Sequence, residues 1–218
     1  MPTHPDFTLV SLTPSVETKL ELLANAGAAH ITIGFEQCEK LVEQFTVDTD
    51  TQGEDRARFI KLVVPMLTNA GLGLELSVKA ILMLQGFPVS NHHNLESLVR
   101  KLHSESKLRM EDSYRELFSE KRFPHERTVA AWTKEQDYFN FDHPETGDFW
   151  AALNHSATLY TTWRYSHERL ARQPLVVGLR APFYLGICVK RELERCIDLA
   201  YVKKAKVETD GDTASPES

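Results

Sequence analysis

Between Leu62 and Leu84 the chain reads LVVPMLTNAGLGLELSVKAILML, an apolar run long enough to span a bilayer. Glu75 and Lys79 lie near its middle, and Pro65, Gly71 and Gly73 interrupt it. A charge at a bilayer centre costs about 2.5–3.5 kcal/mol on insertion scales. No second apolar span is present to bundle with it. The run is therefore expected to be a core helix of a soluble protein, with no membrane. From Asn69 to Gln85 it is apolar nearly all round, which is the pattern of a helix covered on every side.

The rest of the sequence supplies helices to cover it. Thr13-Pro14 places a capping residue before a proline at the first helical position, with Glu17 in the first turn. Leu20, Leu23, Cys38, Leu41, Val42 and Phe45 then keep helical spacing, while Gly27 and Gly34 leave open one bent helix or two. A second helical region covers 56–85, which Pro65 kinks or restarts and which Gly86 and Pro88 stop. Asn94 caps a short helix in NLESLVRKLH, and 107–121 is charged and amphipathic. Residues 122–147 read as a loop pinned by aromatic side chains. A fourth main helix is expected over 148–172, a brief extended piece at Leu175–Val177, and a last helix over 181–206 whose apolar face includes Cys188, Leu193, Cys196 and Tyr201. No strand-helix alternation supports an α/β sheet. The expectation is a single all-α domain over 13–206, an up-and-down helical bundle with an additional N-terminal helical segment. A flexible N-terminus (1–12) and a disordered acidic tail (207–218) flank it.

The net charge of −6 is unevenly placed over the 218 residues. Residues 1–55 carry ten acids and two lysines, and 207–218 carry four acids and no base. The remaining body has 23 bases and 17 acids, so the total does not exclude a polyanion there. Three cysteines, Cys38, Cys188 and Cys196, cannot all pair and form no C-x-x-C, as expected for free thiols in a reducing cytoplasm. The first residues have neither a basic stretch nor a long apolar one, so no secretory leader is expected. No phosphate-binding glycine loop, G-x-S-x-G or H-E-x-x-H occurs, and no cofactor or metal is implied.

Three Arg-x-x-His pairs occur: Arg100/His103, Arg122/His125 and Arg164/His167. Three residues apart on a helix, such side chains share a face and suit clamping a phosphodiester while moving a proton. Arg164/His167 is the most suggestive, since Tyr160, Arg164, His167 and Glu168 fall on one helical face. An Arg164–Glu168 pair that merely orients helices explains that face as well. Glu75 and Lys79 are four apart, in the favourable order for an ion pair. They read either as an internal pair fixing helix register or as the floor of a cleft or dimer seam.

The run ELSVKAILMLQG (75–86), a short polar loop, and HNLESLVRKL (93–102) resemble HEPN domains. Those domains show a helix ending in a Lys-Ala-Leu-Leu-like run, a loop with His-Asp/Asn-Leu, and a following helix. The resemblance covers about residues 57–172 and places Lys79 and His93 at fold-defining positions. It implies an all-α bundle, a homodimer with a shared cleft, and often metal-independent RNA cleavage, commonly in toxin–antitoxin or defence systems. HEPN ribonucleases carry Arg-x4–6-His, whereas every close Arg–His pair here has two residues between. The resemblance thus points first to a homodimeric module that holds RNA, a nucleotide or an antitoxin-like protein partner, with Glu75, Lys79, His93 and Glu168 as ligand-binding candidates. The alternatives are a metal-independent endoribonuclease using Arg164, His167 and Tyr160, and a non-catalytic protein-interaction scaffold.

Overall fold

The computed structural model describes residues 14–44, 54–89, 91–120, 128–131, 147–157, 175–178 and 180–211. Among them are six helices: α1 (Pro14–Gln44), α2 (Glu54–Leu84), α3 (Leu95–Arg100), α4 (Ser104–Ser119), α5 (Phe149–Ser156) and α6 (Arg180–Gly211). Two short strands, β1 (Thr128–Ala131) and β2 (Leu175–Gly178), pair antiparallel, with Thr128 opposite Gly178 and Ala131 opposite Leu175. The chain is an all-α bundle with this one ribbon as an accessory.

Small residues set how α1 meets α2. A Cβ on Gly27 would lie 2.4 Å from the Ser77 hydroxyl, one on Gly73 would lie 2.6 Å from the Ile31 nitrogen, and one on Gly34 would lie 3.0 Å from Ala70. As the α1 number rises the α2 number falls, so the two helices run antiparallel. At each crossing point one backbone rests on the other helix with no side chain between. Gly27 and Gly34 thus seat α1 against its neighbour, and α1 is one continuous helix across both. Helix α2 likewise continues through Pro65, which is exposed, and does not restart there.

The core gathers around α2. Leu74, Val78, Ile81 and Leu82 are buried with Leu98 and Val99 of α3, Met110, Tyr114 and Leu117 of α4, Leu153 of α5, and Tyr184, Leu185 and Val189 of α6. Tyr114 stands edge-on to both Phe149 and Tyr184, at ring separations of 5.9 and 6.0 Å, a geometry that aromatic quadrupoles favour. Pro65–Leu84 passes a length-and-hydropathy test for a membrane span, and 67% of that window is buried inside the protein.

Helix α2 stops where expected. Gly86 takes a positive φ of 79°, its N–H donates to the Met83 carbonyl at 3.0 Å, and the Phe87 N–H donates to the Leu82 carbonyl at 2.9 Å. This is the paired C-terminal closure that a left-handed glycine permits. Asn94 caps α3 through its side-chain oxygen, which accepts from the Ser97 N–H at 2.8 Å, and Asp148 caps α5 in the same way.

Three expectations change. Arg100 ends α3 and His103 precedes α4, so a break separates them and they do not share a helical face. Tyr201 is 64% exposed and does not belong to the apolar face of α6. Helix α6 continues to Gly211, so 207–211 are helical although no apolar pattern marks them. Residues 1–12, 212–218 and the second half of the expected fourth helix lie outside the described residues.

The α1–α2 crossing generates a stability test. Alanine has the higher helix propensity by about 1 kcal/mol, yet Gly73→Ala is expected to cost about 1–3 kcal/mol through overpacking. Ser77→Ala removes a buried hydroxyl that has no hydrogen-bond partner among the described residues. It is expected to be neutral or stabilising, and to soften the cost of Gly27→Ala. Urea unfolding midpoints of the three variants and the Gly27/Ser77 double variant check this.

Candidate functional site

The first constellation grows from the central helix. One helical turn places Lys79 over Glu75, and the lysine Nζ donates to Glu75 Oε1 at 2.7 Å. The glycine stop at the end of α2 then turns the chain back along the same helix. This return brings His93 beside Glu75, with His93 Nδ1 2.9 Å from Oε1 and 3.1 Å from Oε2. The carboxylate is only 3% exposed, whereas the His93 side chain is 53% exposed. A carboxylate this deep needs its charge matched by donors, and Lys79 and His93 are those donors. The pairing with Glu75 fixes the orientation of the imidazole ring. Lys79, Glu75 and His93 are therefore brought together. Tyr160, Arg164, His167 and Glu168 lie outside the described residues.

A short connection holds this corner in place. The Leu95 N–H donates to the Ala157 carbonyl at 2.9 Å, tying the start of α3 to the end of α5. The Arg100 guanidinium stacks 4.7 Å above the Trp150 ring and donates through Nε to Glu96 at 2.9 Å. The indole N–H of Trp150 donates to Glu111. Arg100 is thus a packing residue between α3 and α5. The His103 ring packs at a tilt against Phe87, 5.0 Å between centres, and its backbone N–H donates to the Gln85 side chain.

The second constellation was not selected from the sequence. Glu192 of α6 is 3% exposed and receives two arginine forks. Arg109 of α4 donates through Nε and Nη2 at 3.0 Å each, and Arg195 donates through Nε and Nη2 at 3.0 and 2.9 Å. Burial pushes the Glu192 carboxyl up, but hydrogen bonds from Arg195, Arg109 and Ser106 outweigh it and hold the group at about 2, against an ordinary 4.5. A readable signal did exist. Glu192 interrupts the buried stripe of α6 four residues after Cys188 and four before Cys196, and a carboxylate on such a stripe needs a base opposite it.

Cys188 and Cys196 are free and buried. Burial pushes their thiols up to about 11 and about 12, the Glu192 charge adding to the effect at Cys196. Both thiols are therefore held in the protonated form at neutral pH. Among the described residues no group of three or more His, Cys, Asp or Glu side chains could hold a metal ion. Compared with family models, with curated proteins and with solved structures, the chain matches none.

Each buried carboxylate generates a test. Glu75→Ala strands the Lys79 charge and is expected to cost about 3–5 kcal/mol, whereas Glu75→Leu with Lys79→Leu recovers most of the loss. Denaturant titration of the single and double variants checks this. For Glu192 the folded pKa lies below the unfolded one, so its contribution is full above pH 4.5 and is lost as pH falls toward 2. Glu192→Gln is expected to flatten the stability profile over that window, measured by thermal unfolding at successive pH values.

Proposed function

We propose that the chain is a HEPN-like helical module that associates with RNA or a nucleotide and works as a homodimer. A cytoplasmic toxin–antitoxin or defence system is the setting that fits this reading. The observation that carries it is the closure of Lys79, Glu75 and His93 on one buried carboxylate. The resemblance rests on two runs of sequence, and these three residues tie those runs together across a turn. Had His93 faced another surface, the two runs would be unrelated stretches of helix and loop. The basic balance of residues 56–206 adds a physical reason for a polyanionic partner.

Binding of the full-length protein to labelled single-stranded RNA in EDTA tests the reading. Fluorescence anisotropy is expected to show binding whose logarithm falls linearly with the logarithm of salt concentration. Light scattering is expected to return twice the chain mass of 24.8 kDa. Absence of binding to RNA and nucleotides at every salt concentration overturns the reading in favour of a protein-interaction scaffold. RNA cleavage in EDTA that disappears in Arg164→Ala and His167→Ala replaces it with the endoribonuclease reading.

A further inference from the structure

We propose that the groove between α4 and α6 is an oxyanion site, where Arg109, Arg191 and Arg195 hold a phosphate group of a nucleotide or an RNA backbone. The inference rests on the functional reading above and locates the contact that it requires. The groove is an open one of about 470 Å³, and Met110 and Cys188 contribute buried residues to its lining.

Donor accounting carries the argument. An arginine offers five N–H donors. On Arg109 and Arg195 the Nε and one terminal nitrogen are committed to Glu192. Arg109 Nη1 has only Glu105 at 3.7 Å, beyond hydrogen-bond reach, and Arg195 Nη1 has no hydrogen bond among the described residues. Arg191 spends Nη1 on Ser113 at 2.8 Å and Glu116 at 3.4 Å, leaving Nε and Nη2 uncommitted among the described residues. Glu192 is buried beneath its two forks, and Asp112 is bound by Arg115 at 2.9 Å. The groove therefore presents more uncommitted donors than acceptors.

Formal charge in the lining balances, three arginines against Asp112, Glu116 and Glu192. Bulk attraction is therefore not the selecting force. Selection comes from the remaining terminal N–H groups of Arg109 and Arg195, whose guanidiniums the buried Glu192 already orients, so that little side-chain entropy remains to be lost on binding. The Cys188 thiol, protonated at neutral pH, adds no opposing charge to the groove. Phosphate oxygens accept several charge-assisted bonds at once and can take these remaining donors together with Nε and Nη2 of Arg191.

The test uses full-length protein with three probes: single-stranded RNA, ATP without metal, and inorganic pyrophosphate. Arg191→Gln removes the groove arginine that is not needed to hold Glu192. Lys101→Gln removes an equal charge from an exposed lysine just past α3 that does not line the groove. Arg195→Lys keeps the charge and loses the fork. Circular dichroism and thermal unfolding verify that each variant is folded. Arg191→Gln and Arg195→Lys are expected to weaken binding about tenfold, with Lys101→Gln changing it less than about twofold. RNA binding much tighter than ATP identifies the backbone as the source of phosphate, and the reverse identifies the nucleotide. Equal loss in Lys101→Gln and Arg191→Gln overturns the site, because only net charge then matters. RNA binding unchanged in both groove variants overturns the site and leaves the functional reading standing. Pyrophosphate binding lost in Arg191→Gln, without RNA or ATP binding by the wild type, keeps the site and overturns the functional reading. Binding of none of the three probes overturns both.

Discussion

A carboxylate taken out of water must be met by donors, and two such groups, Glu75 and Glu192, dictate how distant parts of this chain meet. Glu75 gathers Lys79 from its own helix and His93 from the returning loop. Glu192 gathers Arg195 from its own helix and Arg109 from α4. In each case one partner comes from the next helical turn and one from elsewhere in the chain. The local partner supplies a donor within one helical turn and the remote one joins two elements. Apolar burial supplies the driving force for the bundle, but leucine and valine surfaces can slide over one another at small cost. Charge pairs at fixed positions oppose such slippage.

A short polar line leads from the end of α2 to Glu192. Gln85, just past the end of α2, receives the His103 N–H at 2.9 Å and donates to the Ser106 hydroxyl at 2.6 Å. That hydroxyl also receives Arg109 Nη2 at 3.2 Å, and Arg109 in turn holds Glu192. Ser106 is buried, so each of these bonds offsets a desolvation cost that would otherwise stand alone. The line runs through the α3–α4 junction, which explains why the chain breaks there. A continuous helix from Leu95 to Ser119 would carry the His103 N–H back to the Val99 carbonyl and away from Gln85.

What could be read from the sequence was what neighbouring residues determine. Asn94 as a cap, Gly86 as a stop, the extended piece at Leu175–Val177 and the central place of α2 all follow from local chemistry. Glu75 and Lys79 were legible as a pair because four residues on a helix always meet. His93 entered through its place in a motif, since no periodicity connects it to Glu75 eighteen positions earlier. The Glu192 network stayed hidden for the same reason, its partner Arg109 being 83 residues away. The Arg100/His103 spacing misled because it assumed an unbroken helix. Tyr201 misled because helical period alone does not tell where a helix leaves the body.

The α1–α2 crossing has a consequence for how this protein can vary. At Gly27, Gly34 and Gly73 the residue is already the smallest available, so every substitution there adds volume. Change at these positions is one-directional, and nothing smaller on the opposite helix can compensate where the obstacle is backbone, as it is for Gly73 against the Ile31 nitrogen. The crossing acts as a gauge with a hard lower stop. Drift elsewhere on the two helices can be absorbed by repacking, while these points hold the spacing constant and keep α2 at a fixed depth in the protein.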